Sequence, residues 1–247
     1  MPRAGSTRPK VREVRERLTR ERIARAALEM IDAGGLEGLS MRALGAQLGV
    51  EAMALYHYFD KKGALLDAVT ELLLEECAAP GPEAGTPMQR IEAALRSYRQ
   101  VSIRHPRAFE LLTTRRFSTP RAFAYYERIL APYFELGFDA SMAARLFRLG
   151  GYFVGGAGHA EIASRALAAD STPVVLERSR AGLKRVLAPK SRSKPAFPRV
   201  ARVAPHLRVD NLDAVFEFGL SVVLEATRRA ERRGPPPRRP RSARRAG

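Results

Sequence analysis

The chain has 247 residues, no tryptophan, one cysteine and only four histidines. A lone cysteine, Cys77, cannot close an intramolecular disulfide, and no paired cysteines are present to share a metal. It follows an apolar helical stretch and reads as a small packing residue. Patterns of the H-E-x-x-H, G-x-S-x-G and P-loop kinds are also missing. That removes the usual signatures of metal hydrolysis, nucleophilic catalysis and nucleotide binding, so neither an enzyme nor a metal or cofactor is expected. No run of about 18 apolar residues occurs, so no membrane span is expected. The N-terminus is charged but lacks an apolar core, so it does not read as a secretory signal. A cytoplasmic location fits these absences.

Positive charge is in excess. Lysine and arginine number 43 against 26 acidic residues, a formal net charge of +17. Such a balance favours an anionic partner, either nucleic acid or an acidic membrane surface, and charge alone does not choose between them. Hydrophobic residues make up 45%, enough for a sizeable core in one large domain or two smaller ones.

No convincing strand alternation and no fixed-period repeat is found, and the expected fold class is all-α. Residues 1–17 are rich in Arg, Pro and Lys and read as a basic arm, either entering a minor groove or simply solvated. A first helix is expected over residues 19–33, stopped by Gly34-Gly35. A helix starting near residue 61 ends before Ala79-Pro80-Gly81-Pro82, and it is a plausible lever between an N-terminal head and the rest of the chain. Further helices are expected over 87–104, 120–136, 140–168, 173–188 and 210–231, with Asp139 and Asp210 as caps. Residues 189–208 lack periodicity and read as a mobile loop, and 231–247 as a disordered basic tail. The chain therefore divides into an arm (1–17), a head (18–64), a helical body (65–230) and a tail (231–247).

The head carries the most specific pattern, from Leu39 to Lys62. Ser40 is a good N-cap, Leu44 and Leu48 share one helix face, and Gly49 suits a left-handed C-cap. Val50 would plug the turn. In the next short helix Leu55 and Phe59 point inward at i, i+4, leaving Ala52, Met53, Ala54 and His57 outward. Tyr56, Tyr58, Lys61 and Lys62 supply hydroxyls and charges suited to phosphates, and the Ser40 hydroxyl joins them. This is the pattern of a helix-turn-helix, although a generic helical hairpin shares parts of it. The glycines Gly150-Gly151 and Gly155-Gly156-Ala157-Gly158 lack G-x-G-x-x-G spacing and a preceding strand, and read as helix packing.

Two stripes in the C-terminal part can either face the chain's own core or pair across a two-fold axis. They comprise Phe147, Gly151, Val154 and Gly158, and Val215, Gly219, Val222 and Ala226. The middle helices concentrate the aromatics Tyr98, Phe109, Phe117, Tyr125, Tyr126, Phe134, Phe147 and Tyr152. Some must be core, and Tyr98, Phe109, Phe117, Tyr126, Phe147 and Tyr152 are the candidates for an apolar small-molecule cavity. Candidate polar contacts there are His105, Thr113, Arg116 and His159.

Over residues 19–68 the chain resembles the TetR family of transcriptional regulators. The resemblance rests on the helix-turn-helix, on the step Leu55-Tyr56…Phe59, and on Lys62…Leu65-Leu66-Asp67. It implies a homodimeric repressor that leaves a palindromic operator when a small molecule binds the C-terminal domain. It also implies that Arg42, Ala52, Met53 and Ala54 face bases, with His57 beside them, and that Tyr56 and Lys62 hold phosphates. The C-terminal half is loosely similar to the tetracycline-repressor type. Around residues 109–114, however, it has Leu111-Leu112 and no histidine where that repressor carries a magnesium ligand, which argues against a metal-chelated ligand. The rival reading is a non-specific, architectural nucleic-acid binder driven by the two basic tails. Either reading would associate the protein with the nucleoid.

Overall fold

The computed structural model describes residues 17–170, 197–203, 206 and 211–233, and their regular secondary structure is helical throughout. The helices are α1 (Arg20–Gly38), α2 (Met41–Leu48), α3 (Ala52–Tyr56), α4 (Lys62–Glu76) and α5 (Pro87–Arg104). They continue with α6 (Leu111–Thr114), α7 (Pro120–Glu135), α8 (Ala140–Asp170), α9 (Pro198–Val203) and α10 (Leu212–Arg233). None of these helices is long and apolar enough to cross a membrane.

The boundaries follow local chemistry. The Thr19 and Ser40 hydroxyls each accept from a backbone amide in the first turn of α1 and α2, at 3.1 Å. Thr86 and Gln89 form a reciprocal capping box on α5, with Pro87 at its first position. Asp139 accepts from the Met142 amide at 2.8 Å and so starts α8, as its sequence position suggested. Gly49 ends α2 at φ 67°, donating back to the Ala46 and Gly45 carbonyls. Gly35, at φ 77°, does not end α1; it kinks the helix, which resumes to Gly38.

Two apolar cores organise the packing. The first joins α1–α4 to α5, α6 and α7, with Ile23, Leu44, Leu55, Phe59, Leu65 and Phe109 almost fully buried. Each such side chain contributes roughly 1.5–3 kcal/mol. The second lies among α5, α7, α8 and α10, around Leu95, Tyr133, Val154, Phe216 and Leu220. Head and body are therefore not separate globules: the first core runs unbroken from the α2–α3 unit into α7. Arg99 of α5 fastens the second core. Its guanidinium reaches Glu161 of α8 (3.1 Å) and Asp213 of α10 (2.5 Å) and lies over the Phe216 ring.

The expected helix over 173–188, the Asp210 cap, the arm except Arg17, and the tail beyond Arg233 lie outside the described residues. Within the stretch read as a loop over 189–208, Pro198–Val203 form a short helix. The two arginines and two valines there gave no apolar periodicity to signal it.

The tightest backbone approach in the head is at Gly45. A methyl group there would stand 2.8 Å from the Val50 carbonyl oxygen and 3.1 Å from the Ala52 amide. Backbone cannot swing aside as a long side chain can. Gly45→Ala should therefore destabilise the head by about 1–3 kcal/mol, read as a lower denaturation midpoint in urea.

Candidate functional site

The α2–α3 unit presents an exposed surface held rigidly from behind. Leu55 and Phe59 anchor α3 inward, so Met53, Tyr56 and His57, one turn apart, point outward. Met53 is 70% exposed and Tyr56 44%. Arg42 on α2 and Lys61 before α4 are also exposed, with no ion pair among the described residues. Ser40 uses its oxygen as the α2 cap, and its hydroxyl proton is still available to an acceptor. Cations and hydroxyls around two short helices suit a phosphate backbone, while Met53 and the half-buried Ala54 can offer only apolar contact to base edges.

Three expected DNA contacts are engaged elsewhere. The Tyr58 hydroxyl donates to the Leu18 carbonyl at 2.9 Å, and the half-buried ring packs on the core. Lys62 donates its ammonium to the carbonyls of Leu39 (2.5 Å) and Leu36 (3.3 Å), capping the kinked end of α1. Ala52 packs against the first core at the α2–α3 contact. Arg20 was not foreseen. Its guanidinium donates to the Tyr58 carbonyl and lies over the Phe59 ring, 4.2 Å from the centroid. The partners are 38 residues apart, so no local pattern announces the contact.

A second candidate site is a narrow, partly open cavity with about 60 Å³ of free interior. α5 supplies Ile91, Leu95 and Tyr98 to its wall; α7 supplies Tyr125, Tyr126 and Tyr133; α8 supplies Phe147 and Gly151. Leu74 of α4, Leu112 of α6 and Arg116 complete the enclosure. Burial pushes the Tyr98 hydroxyl up to about 12 and raises Tyr125, Tyr126 and Tyr133 as well, so all four are neutral donors at physiological pH. Tyr98, Arg116, Tyr126 and Phe147 were expected in such a wall. Tyr125 belongs to the aromatic cluster noted in the sequence, whereas Tyr133 was not singled out, because aromatic positions in an amphipathic helix do not reveal which neighbours they meet.

Six other expected pocket residues lie outside it. Phe109 is fully buried in the first core between Tyr98 and His159. Thr113 turns its hydroxyl back to the Glu110 carbonyl. Phe117 is exposed beside Phe123 and against Tyr126, Tyr152 is 64% exposed on α8, and His159 sits in a surface cleft with Gly34 and Pro106. His105 instead forms a polar junction between three helices. One ring nitrogen is 2.7 Å from Asp32 of α1 and the other 3.1 Å from Glu76 of α4.

The two expected interface stripes also divide. Val154 is fully buried in the second core, and Phe147 and Gly151 line the cavity. Gly158 is pressed against Ser102 and Phe109, and Gly219 against the Phe153 ring, so both serve close packing within the chain. Ala226 is half-buried, while Val215 and Val222 are exposed. Val215, Phe218 and Val222 of α10 share one face, exposed by 53–73%, and Leu149 and Tyr152 of α8 are also exposed. These side chains leave apolar surface uncovered on α8 and α10.

Residues 23–69 match the family model "Bacterial regulatory proteins, tetR family", and residues 79–228 match "Tetracyclin repressor-like, C-terminal domain". The HTH-type transcriptional repressor DrrR1 of Streptomyces coeruleorubidus is 33% identical over 142 residues, 57% of this chain and 53% of that protein. The class C tetracycline repressor protein of Escherichia coli is 48% identical over 58 residues, 24% of this chain and 26% of its own length. The chain thus spans about half or less of these curated relatives. The crystal structure of the Streptomyces coelicolor TetR family protein ActR in complex with actinorhodin superposes with a TM-score of 0.69 at 26% identity, covering 86% of this chain and 98% of that one.

The two head tyrosines should separate under substitution. Tyr58→Phe removes a partly buried hydrogen bond and should cost about 1 kcal/mol of folding stability, with little change in DNA affinity. Tyr56→Phe should leave the urea midpoint unchanged and weaken binding to duplex DNA several-fold in fluorescence anisotropy.

Proposed function

Because this chain belongs to the TetR family of bacterial regulatory proteins, we propose that it is a homodimeric, sequence-specific DNA-binding repressor released from its operator by a small molecule held in the body cavity. The supporting observation is the course of α4. Its first turn grips the head through Lys62, and Leu74 in its last turn forms part of the cavity wall. Between them, Arg115, just beyond α6, holds Asp67 at 2.6 Å and the Gly63 carbonyl at 3.2 Å. A cavity of about 60 Å³ is well below the roughly 300–1,000 Å³ of typical ligand pockets. An effector of several rings must therefore part the helices around it, and α4 carries that displacement to the head. Ligand then favours the conformers whose heads no longer fit the operator.

On this reading Arg42, Met53, Ala54 and His57 face the bases, and Ser40, Tyr56 and Lys61 hold phosphates. Ala52, Tyr58 and Lys62 support that surface from within. One head covers few base pairs, and pairing two heads about 34–36 Å apart gains both affinity and specificity. The exposed faces of α8 and α10 would bring two copies together, with Tyr152, Val215, Phe218 and Val222 at the contact.

Selection of bound sequences from a random duplex pool at about 150 mM salt should return a palindrome. Recovery of bulk DNA alone would instead favour non-specific binding by the tails. In a second test, Phe218→Glu places a charge in the apolar face. It should convert the dimer to monomer in sedimentation velocity and weaken operator binding at least tenfold, while far-ultraviolet circular dichroism is unchanged.

A further inference from the structure

The cavity wall is almost wholly apolar and aromatic, with one exception. Arg116 is the one formally charged residue among the described residues that line it. A guanidinium is charged at every physiological pH and carries five donors. The other buried or half-buried arginines among the described residues of the body are paired: Arg90 with Glu135, Arg96 with Glu92 and Glu217, Arg99 with Glu161 and Asp213. Its own neighbour Arg115 is held by Asp67. Arg116 makes no hydrogen bond and no ion pair with any described residue; its guanidinium lies over the face of Phe117, 5.8 Å from the ring centroid. It is half-buried, so it is partly withdrawn from water without a protein anion to compensate. The cavity tyrosines are neutral and cannot act as that anion.

Resting on the reading of this cavity as the effector site, we propose that the effector is an acidic aromatic molecule, a planar ring system bearing a carboxylate that Arg116 receives. The flat, tyrosine-rich wall accepts the rings by stacking and edge contact. The guanidinium fork matches a carboxylate in two parallel hydrogen bonds, and the tyrosine hydroxyls donate to remaining oxygens. A neutral molecule of the same shape would fill the apolar part but leave the arginine unpaired.

The test uses the full chain, with anthracene-2-carboxylate and its neutral isostere anthracene-2-carboxamide as probes in isothermal titration calorimetry. The wild type should bind the carboxylate at least about tenfold more tightly, the scale of a charge-assisted hydrogen bond in a partly buried site. Arg116→Gln should remove that preference while leaving amide affinity within about twofold, and Arg116→Lys should recover part of it. Location is checked by Gly151→Met. A Cβ added at Gly151 meets nothing within 4 Å, and Gly151 lines the cavity, so this variant should fold normally and, with the longer side chain occupying the space, lose both probes. Equal affinity for the two probes in the wild type, with both lost on Gly151→Met, overturns the acidic class while the cavity keeps its role as the effector site. Carboxylate binding that survives Gly151→Met places the anion elsewhere on this basic protein and overturns the proposal. If neither probe binds the wild type, both the acidic class and the effector cavity fall.

Discussion

Every part of this molecule depends on α4 satisfying two neighbourhoods at once. Leu65, Val69, Leu72, Leu73 and Leu74 are all buried in the core shared by head and body, and Leu74 also lines the cavity. An α-helix of fifteen residues is stiff at this length, with each turn locked by its own backbone hydrogen bonds. It cannot adjust one end without the other. The ties along it are polar and directional: Lys62 to the carbonyls at the end of α1, Asp67 to Arg115, Glu76 to His105 and Arg104. Apolar contacts tolerate sliding, whereas these pairs fix the register and the angle at which the helix meets each neighbour. The continuous first core makes the arrangement cooperative, since no water-filled boundary separates head from body.

His105 shows how much of that coupling is electrostatic. It closes α5 and bridges Asp32 on α1 with Glu76 at the end of α4, while Arg107 donates to the carbonyls of Asp32 and Ala33. The kink in α1 at Gly35 lies next to this junction. Charges and carbonyls from three helices thus meet where the head rests on the body.

Most local signals were legible in the sequence, the stop expected at Gly34-Gly35 being an exception, since α1 kinks there and resumes. The caps at Ser40 and Asp139, the left-handed Gly49 and the inward pair Leu55 and Phe59 depend on residues within one or two turns, and the structure has each of them. Non-local partners were not legible. Tyr58 looks like a free hydroxyl in sequence, but its acceptor lies forty residues away at Leu18. His105 and His159 looked equivalent beside the aromatics, yet one is bound by two carboxylates and the other lies in a surface cleft. The small residues of α8 gave a sound indication of close packing but not of its direction. Gly158 faces Ser102 and Phe109 within the chain, while the large exposed Tyr152 on the same helix faces outward. Helical period identifies faces; which face meets which neighbour is decided by the whole topology.

The narrowness of the cavity bears on timing and threshold as well as fit. A site that accepts its occupant only in a minor, widened population has an apparent affinity reduced by the size of that population. Its rate of filling follows how often the helices part, not how often a molecule collides with the surface. The narrow wall of tyrosines around about 60 Å³ would in this way act as a filter in time and concentration. Scarce or poorly matched compounds would leave the wider state unpopulated, and only a well-matched compound present in quantity would hold it open.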